Sequence, residues 1–172
     1  MLKEFCQRYA LSKGASLEAT RLLPLSKVRS AVAFIDVEDT SFNECKLAVQ
    51  ALFKDYGIKG DIFYFDFRKL IQGERLITSI TTTVLRKDLN WFGKPSKEKV
   101  QLMLQGEPDM FFSLVKTPSF ALEYMAACSR AHFKVGRYDS PVFDLVFNDT
   151  PDKPLSEITA FNEMVKIMEK IS

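Results

Sequence analysis

The chain has 172 residues, a length that fits one domain with a full hydrophobic core. Apolar residues make up 47% and charged residues 27%, which excludes collagen-like, low-complexity and wholly disordered chains. The 24 basic and 22 acidic residues give a net charge of +2, so no strongly polyanionic partner is indicated. A multi-ligand zinc site or a disulfide scaffold is not expected from one histidine and three widely spaced cysteines, Cys6, Cys45 and Cys128.

The first 29 residues lie outside the repeating pattern of the remaining chain. They hold six basic and two acidic residues, a net charge of +4, and the other residues, with 18 basic and 20 acidic, carry −2. Leu2, Phe5, Cys6 and Tyr9 have the spacing of an amphipathic helix. We therefore expect residues 1–29 to form a basic helical arm and residues 30–172 to form a single α/β domain.

Short apolar runs alternate with helical periodicity after residue 29. Five strands are predicted, over Ala31–Ile35, Asp61–Phe65, Ile77–Leu85, Met110–Val115 and Val142–Phe147. The first helix follows Ser41, which has capping-box spacing with Glu44, and ends at Gly57. Later helices follow Pro95, Pro118 and Pro151. This alternation predicts an α/β three-layer sandwich with a mostly parallel sheet of about five strands, Rossmann-like or flavodoxin-like.

The carboxyl ends of the predicted strands are the first place to look for a ligand, because open α/β sheets bind ligands there. The candidate residues for a small anionic ligand are Asp36, Asp39, Asp66, Lys116, Thr117 and Ser119. A helix start with a cation and hydroxyls suits a phosphate, and clustered carboxylates suit a cation or acid–base chemistry. The alternative is that these side chains only cap helices.

Standard phosphate-binding and dinucleotide glycine motifs do not occur in the chain. We therefore predict no cofactor and no metal site. His132, the one histidine, has no serine or cysteine partner that the sequence places beside it, so the catalytic residues stay unknown and an enzymatic role stays open. The glycine turn around Gly136 carries Lys134 and Arg137, which suit either an anion or the end of a helix.

A second candidate region combines the arm with an aromatic loop. Trp91 and Phe92 form an aromatic pair that either lines a pocket or interface or covers the open end of the core. With Phe5 and Tyr9, they are the candidate residues of a homodimer interface. Nucleic-acid binding is not expected, because a charge of +4 over 29 residues is modest.

The chain has no apolar stretch of the roughly 18 residues that a membrane span needs, and its N-terminus lacks a secretory apolar region. Isolated cysteines are typical of a reducing compartment. We therefore expect a cytoplasmic protein without a membrane span.

Three segments resemble a family of small bacterial hypothetical proteins known as a domain of unknown function. They are Asp88–Pro95, Phe112–Leu114 and Ala131–Arg137. A weaker likeness is to the N-terminal Rossmann-like half of heptosyltransferase-type glycosyltransferases, through the layout of Asp109–Val115 and Ala131–Gly136. Those enzymes have two such halves and bind the sugar nucleotide mainly through the second, whereas this length accommodates one.

These observations predict an uncharacterised small α/β domain that acts as a non-catalytic binding or interaction protein. The alternative is an enzyme or binder that acts on a phosphorylated or nucleotide-like small molecule at the carboxyl ends of the strands.

Overall fold

A computed structural model describes residues 1–17, 19–71, 74–150 and 152–171. The described residues contain six strands: β1 (Ser30–Asp36), β2 (Lys59–Asp66), β3 (Thr83–Leu85), β4 (Met110–Ser113), β5 (Phe133–Gly136) and β6 (Leu145–Val146). Five α-helices occur in the same residues: α1 (Leu2–Gly14), α2 (Phe42–Asp55), α3 (Lys97–Met103), α4 (Phe120–Cys128) and α5 (Glu157–Lys170).

All pairs of neighbouring strands are parallel, in the order β3-β2-β1-β4-β5-β6. The first strand, β1, lies in the middle of the sheet. Strands β2 and β3 follow on one side of it, and β4, β5 and β6 lie on the other side. The predicted α/β class with a parallel sheet is confirmed, with six strands in the described residues instead of about five. This order is that of Rossmann-like sheets, and its switch point lies between β1 and β4.

Helices cover both faces of the sheet. One core cluster joins the sheet to α2 and α5, and the other joins it to α3 and α4. Because both faces are covered, the central strands are continuously apolar. The ring centroid of Phe34 on β1 lies 5.6 Å from that of Phe63, 5.3 Å from that of Phe65 and 5.2 Å from that of Phe111. This phenylalanine cluster fixes β1 against both of its neighbours.

The strand that the sequence analysis did not predict is β5. Phe133–Gly136 was interpreted as a glycine turn, but Gly136 is the last residue of a strand. A Cβ atom at Gly136 would lie 2.3 Å from the Phe143 ring, so the glycine is needed for this close packing. The predicted strand Ile77–Leu85 was too long, because Ser79 caps a short 3₁₀ helix at Ile80–Thr82 and only Thr83–Leu85 pairs with β2.

The helix α2 ends as predicted, next to Gly57. It also begins after Ser41 as predicted, but Ser41, its N-cap residue, makes no side-chain bond to its own helix. Instead, Ser41 Oγ donates to Asp39 Oδ1 at 2.7 Å and accepts the Ile158 amide of α5 at 3.1 Å. The predicted capping box is therefore wrong, and Ser41 links α2 to the start of α5.

The N-terminal residues pack on the domain. Helix α1 lies against the outer side of α4, where Ala10 is its buried residue. Ser16 donates its amide to the Ala127 carbonyl at 2.7 Å, and Leu25 and Val28 are buried in the core cluster beneath α2 and α5. The helix α4 therefore packs on two sides, against the sheet and against α1.

Candidate functional site

The switch point of the sheet is occupied by the chain itself. Strand β4 is paired as far as Ser113, beside Phe34, so the last residue of β1 extends past it. The Asp36 amide would face open space there, but it donates to Oε1 of Glu157 at 2.6 Å. Glu157 is the first residue of α5 and is 1% exposed. A buried carboxyl group thus takes the place where a ligand would accept that hydrogen bond.

The environment of Glu157 favours the neutral form of its carboxyl group. Burial raises its pKa to about 9, with further increases from the negative charges of Asp39 and Asp36. The hydrogen bond from the Asp36 amide and the positive charge of Arg137 lower that pKa only in part. Burial also raises the pKa of Asp36. The Oε2 atom of Glu157 is buried and has no hydrogen-bond partner.

Arg137 closes the same crevice from the β5 side. Its almost fully buried guanidinium donates to the Leu114 carbonyl at 3.3 Å and to the Leu155 carbonyl at 3.0 Å. It also pairs with Asp149 at 2.5 Å. Arg137, which follows the last residue of β5, therefore does meet an anion, and that anion belongs to the chain's own β6–α5 connection. The residues that lead into α5 are held across the strand ends.

The three predicted aspartates lie together at this edge, since the charges of Asp39 and Asp66 both raise the pKa of Asp36. Each already accepts hydrogen bonds from the chain. Asp36 accepts the Glu38 amide at 2.9 Å, and Asp39 accepts the amide and hydroxyl of Ser41. The buried Asp66 forms a bidentate pair with Arg68, at 2.8 and 2.7 Å, and this pair lowers the pKa of Asp66.

The other three predicted ligand residues follow β4. Lys116 and Thr117 are exposed, and Ser119 is the N-cap residue of α4, without a side-chain bond to that helix. The Ser119 amide instead lies 3.3 Å from the hydroxyl of Tyr138. Among the described residues, no hydrogen bond or ion pair joins this group to the three aspartates. The structure therefore divides the predicted ligand residues into two groups.

Metal-binding and catalytic side chains are the remaining candidates for a functional site. In the described part of the chain, no group of three or more His, Cys, Asp and Glu side chains is placed to hold a metal ion. His132 lies beyond the end of α4, with Nδ1 at 3.4 Å from the Ala19 carbonyl. Cys128 and His132, four residues apart, therefore do not lie on one helix.

A second site lies between α1 and the loop that carries the aromatic pair. It is a groove of about 380 Å³, which we call the α1 groove. Its walls and floor come from three distant parts of the chain: Phe5, Cys6, Tyr9, Ala10, Lys13 and Gly14 of α1, Phe92 and Lys94 of the loop, and Tyr124 of α4. The volume lies within the range of small-molecule pockets, roughly 300–1,000 Å³.

Three of the four predicted interface residues, Phe5, Tyr9 and Phe92, line this groove, and Trp91 lies beside Phe92. Phe5 and Tyr9 are 66% and 59% exposed, and Trp91 is 64% exposed, so Trp91 does not cover the core. The rings of Trp91 and Phe92 meet edge to face with centroids 5.2 Å apart. Gln7 of α1 donates to the Phe92 carbonyl at 2.8 Å, which ties the helix to the loop.

The loop that presents Phe92 and Lys94 is internally bonded. The Asn90 side chain accepts the Phe92 amide at 3.2 Å and the Lys94 amide at 2.9 Å. Gly93 has a φ of 92°, a conformation that favours glycine. The antiparallel bridge between Leu89 and Pro95 closes the base of the loop. The groove wall is thus held in shape by the sequence Asn-Trp-Phe-Gly.

Two lysines lie at the groove above tyrosine rings. Lys94 Nζ is 5.2 Å from the centroid of Tyr124, and Lys13 Nζ is 5.9 Å from that of Tyr9. Within residues 1–17, 19–71, 74–150 and 152–171, neither ammonium group has a carboxylate at ion-pair distance. The groove therefore combines aromatic walls with unneutralised positive charge.

Several of these residues had no decisive signal in the sequence. Glu157 follows Ser156 like any acidic residue in the first turn of a helix, so its burial was not evident. The groove residue Tyr124 stands among the apolar residues of α4, which gives it no separate signal. A weak signal existed in α1, where Cys6, Ala10 and Gly14 recur every four residues and form the side that faces α4.

A model of the family of unknown function DUF6913 matches residues 3–171. The chain belongs to this family. The predicted resemblance to a domain of unknown function is thereby confirmed, and the match includes both α1 and the sheet. No curated protein and no solved structure matches the chain, so the heptosyltransferase likeness has no support. In the part of the chain that is described, no helix is long and apolar enough to cross a membrane.

Proposed function

We propose that the protein is a non-catalytic binding protein whose binding site is the α1 groove. One observation carries this proposal: the groove is open and aromatic, whereas the crevice at the switch point is occupied by buried Glu157 and Arg137. Open aromatic pockets with a few polar groups are the common form of small-molecule sites. The aspartates at the sheet edge support this assignment, because each already accepts a hydrogen bond from its own chain.

Chemical-shift mapping of ¹⁵N-labelled protein tests where ligands bind. Neutral aromatic fragments such as phenol and indole serve as probes, since they report on the aromatic walls without involving charge. We expect the amides of Gly14, Gly93 and Tyr124 to shift together and saturably. The amides of Glu38 and Thr117, at the sheet edge, serve as the internal control and are expected to stay in place.

The competing function, a binder or enzyme for a phosphorylated small molecule at the strand ends, gives the opposite map. Exposed Lys116 and Thr117 beyond β4 are its best support. Shifts confined to Glu38, Thr117 and Ser119 on addition of inorganic phosphate or a nucleotide, with the groove amides unchanged, would refute our assignment.

A homodimer through the outer rim of the groove is a second candidate. The observation that favours it is the exposure of three large aromatic side chains, Phe5, Tyr9 and Trp91, at one place on the surface. Sedimentation equilibrium at micromolar concentration is expected to show a dimer for the natural chain and a monomer for Trp91→Ser. A strict monomer for the natural chain would remove the dimer and leave the groove assignment intact.

We further propose a cytoplasmic location. Its support is chemical: Cys6, Cys45 and Cys128 are all free, and burial raises the pKa of the Cys45 thiol strongly. Free cysteines are typical of a reducing compartment.

A further inference from the structure

We propose that the α1 groove binds an amphipathic organic anion, a molecule with an aromatic or aliphatic body and one carboxylate, sulfonate or phosphate group. This inference rests on the proposed binding role of the groove and adds the chemical class of the ligand. It assigns the body to the aromatic walls and the anionic group to Lys94, with Lys13 at the other side of the groove.

The apolar part of the ligand is specified by the walls. Phe5, Tyr9, Phe92 and Tyr124 come from a helix, a loop and a second helix, and all border the same space. Aromatic rings bury large apolar areas on contact and favour flat or aliphatic partners. A body of this kind would remove the outward rings of Phe5 and Tyr9 from water, which at present are mostly exposed.

The anionic part is specified by charge. Lys94 is half-buried, and its ammonium group lies over the Tyr124 ring at the inner end of the groove. Its positive charge also acts on the Cys128 thiol, where it lowers the pKa in part against the larger effect of burial. A half-buried ammonium group without a carboxylate partner gains a charge-assisted hydrogen bond when an anion enters. Neutral aromatic ligands leave that group without a partner.

The loop geometry makes Lys94 the more important of the two lysines. Its backbone is fixed on both sides, by the Asn90 side chain and by the bridge at Pro95. Lys13 is exposed and is the second-last residue of α1, so water competes for its ammonium group. We therefore assign the main contribution to anion affinity to Lys94 and a smaller one to Lys13.

A matched pair of fluorescent probes tests the charge requirement. Anilinonaphthalene sulfonate carries the sulfonate, and phenylnaphthylamine has the same aromatic body without it. We expect the sulfonate to bind saturably at one site per chain, about tenfold more tightly than the neutral probe. Lys94→Gln is expected to abolish this preference, Lys94→Arg to retain it, and Lys54→Gln, on the exposed side of α2, to leave it unchanged.

Three results would overturn the inference: no saturable binding of the sulfonate, equal affinity for both probes, or an equal effect of Lys54→Gln and Lys94→Gln. Circular dichroism confirms that each variant is folded. If Lys94→Gln is not folded, the affinity of Lys94→Arg for the two probes still tests the charge requirement. If one of these three results is obtained while neutral fragments still shift Gly14 and Gly93, the groove binds ligands but its anion preference is wrong. Loss of both kinds of binding would refute the proposed function as well.

Discussion

Two regions of this protein look alike in sequence and differ in structure. The sheet edge at the switch point and the α1 groove each collect polar or aromatic residues from distant parts of the chain. At the sheet edge, Glu157 accepts the Asp36 amide, and Arg137 bonds two carbonyls and Asp149. In the groove, the rings remain exposed and the lysines have no carboxylate partner among the described residues.

The difference teaches that position in the fold and availability for binding are separate properties. The switch point is where an α/β sheet most often binds its ligand. Here Glu157 at the start of α5 and Arg137 after β5 form hydrogen bonds to other parts of the chain at that point. The comparison predicts that substitutions at the sheet edge change stability, whereas substitutions in the groove change binding.

The largest effect is expected from Arg137→Met. Methionine retains much of the volume but loses the bonds to the Leu114 and Leu155 carbonyls and leaves Asp149 unpaired. Removing one partner of a buried charged network costs on the order of 3–5 kcal/mol of unfolding free energy. Urea unfolding measures it, with Lys166→Met as control, because the ion pair of Lys166 with Glu163 is solvent-exposed and is worth about 1 kcal/mol or less. Equal losses in both variants would mean that Arg137 does not close the crevice.

A substitution of opposite sign is Glu157→Gln. In the folded protein the Glu157 carboxyl keeps its proton until the pH approaches its pKa of about 9. In the unfolded chain it releases the proton near its ordinary pKa of 4.5. The natural chain therefore loses stability as pH rises through this window, and the glutamine variant lacks this loss. We expect the variant to gain nothing below the unfolded pKa and about 3 kcal/mol near pH 7.

The pH dependence of urea unfolding checks this prediction. Glu163→Gln on the same helix is the matched control, because Glu163 is exposed and its bond to Lys166 lowers its pKa. The effect of Glu163→Gln on the unfolding free energy is not expected to rise with pH between 4.5 and about 9, the unfolded and folded pKa values of Glu157. A Glu157→Gln variant whose stability relative to the natural chain did not change with pH would show that Glu157 is ionised in the fold.

The smallest effect on stability is expected in the groove. Tyr9→Ser removes an exposed ring of α1 that buries little area against the domain. Surface substitutions of this kind usually change unfolding free energy by about 0.5 kcal/mol or less. The same variant is expected to bind the sulfonate probe several-fold more weakly, because one aromatic wall of the groove is lost. A stability loss above about 2 kcal/mol would indicate that α1 is part of the core.

Much of the fold followed from local patterns in the sequence. The apolar runs of β1, β2 and β4 and the stripe of α2 predicted their elements closely, because burial on both sheet faces leaves a continuous apolar signal. Strand β5 was missed, since Lys134 interrupts it and Gly136 resembles a turn. The requirement for that glycine comes from the Phe143 ring, a contact between residues that no local pattern shows.

The site was less predictable than the fold. Aromatic residues in a loop and on a helix were sufficient to suggest Phe5, Tyr9, Trp91 and Phe92 as one interface. Phe5, Tyr9 and Phe92 line the α1 groove and Trp91 contacts Phe92, while the interface itself stays a prediction. The filling of the switch point depends on Glu157 reaching Asp36, a residue 121 positions away. Sequence spacing does not report such a contact, so the strand-end aspartates looked available although each already accepts a hydrogen bond from the chain.

Hydrogen exchange compares the two regions in one measurement. The Asp36 amide donates to Glu157 and the Ile158 amide donates to Ser41, so both amides seal the crevice. We expect them to exchange only through global unfolding, with a rate that depends on urea as the unfolding equilibrium does. The amides of Tyr9 and Ala10 in α1 are expected to exchange at least about 100-fold faster, through local opening. Exchange of Asp36 and Ile158 as fast as that of α1 would show a crevice that opens to ligands and would contradict the account.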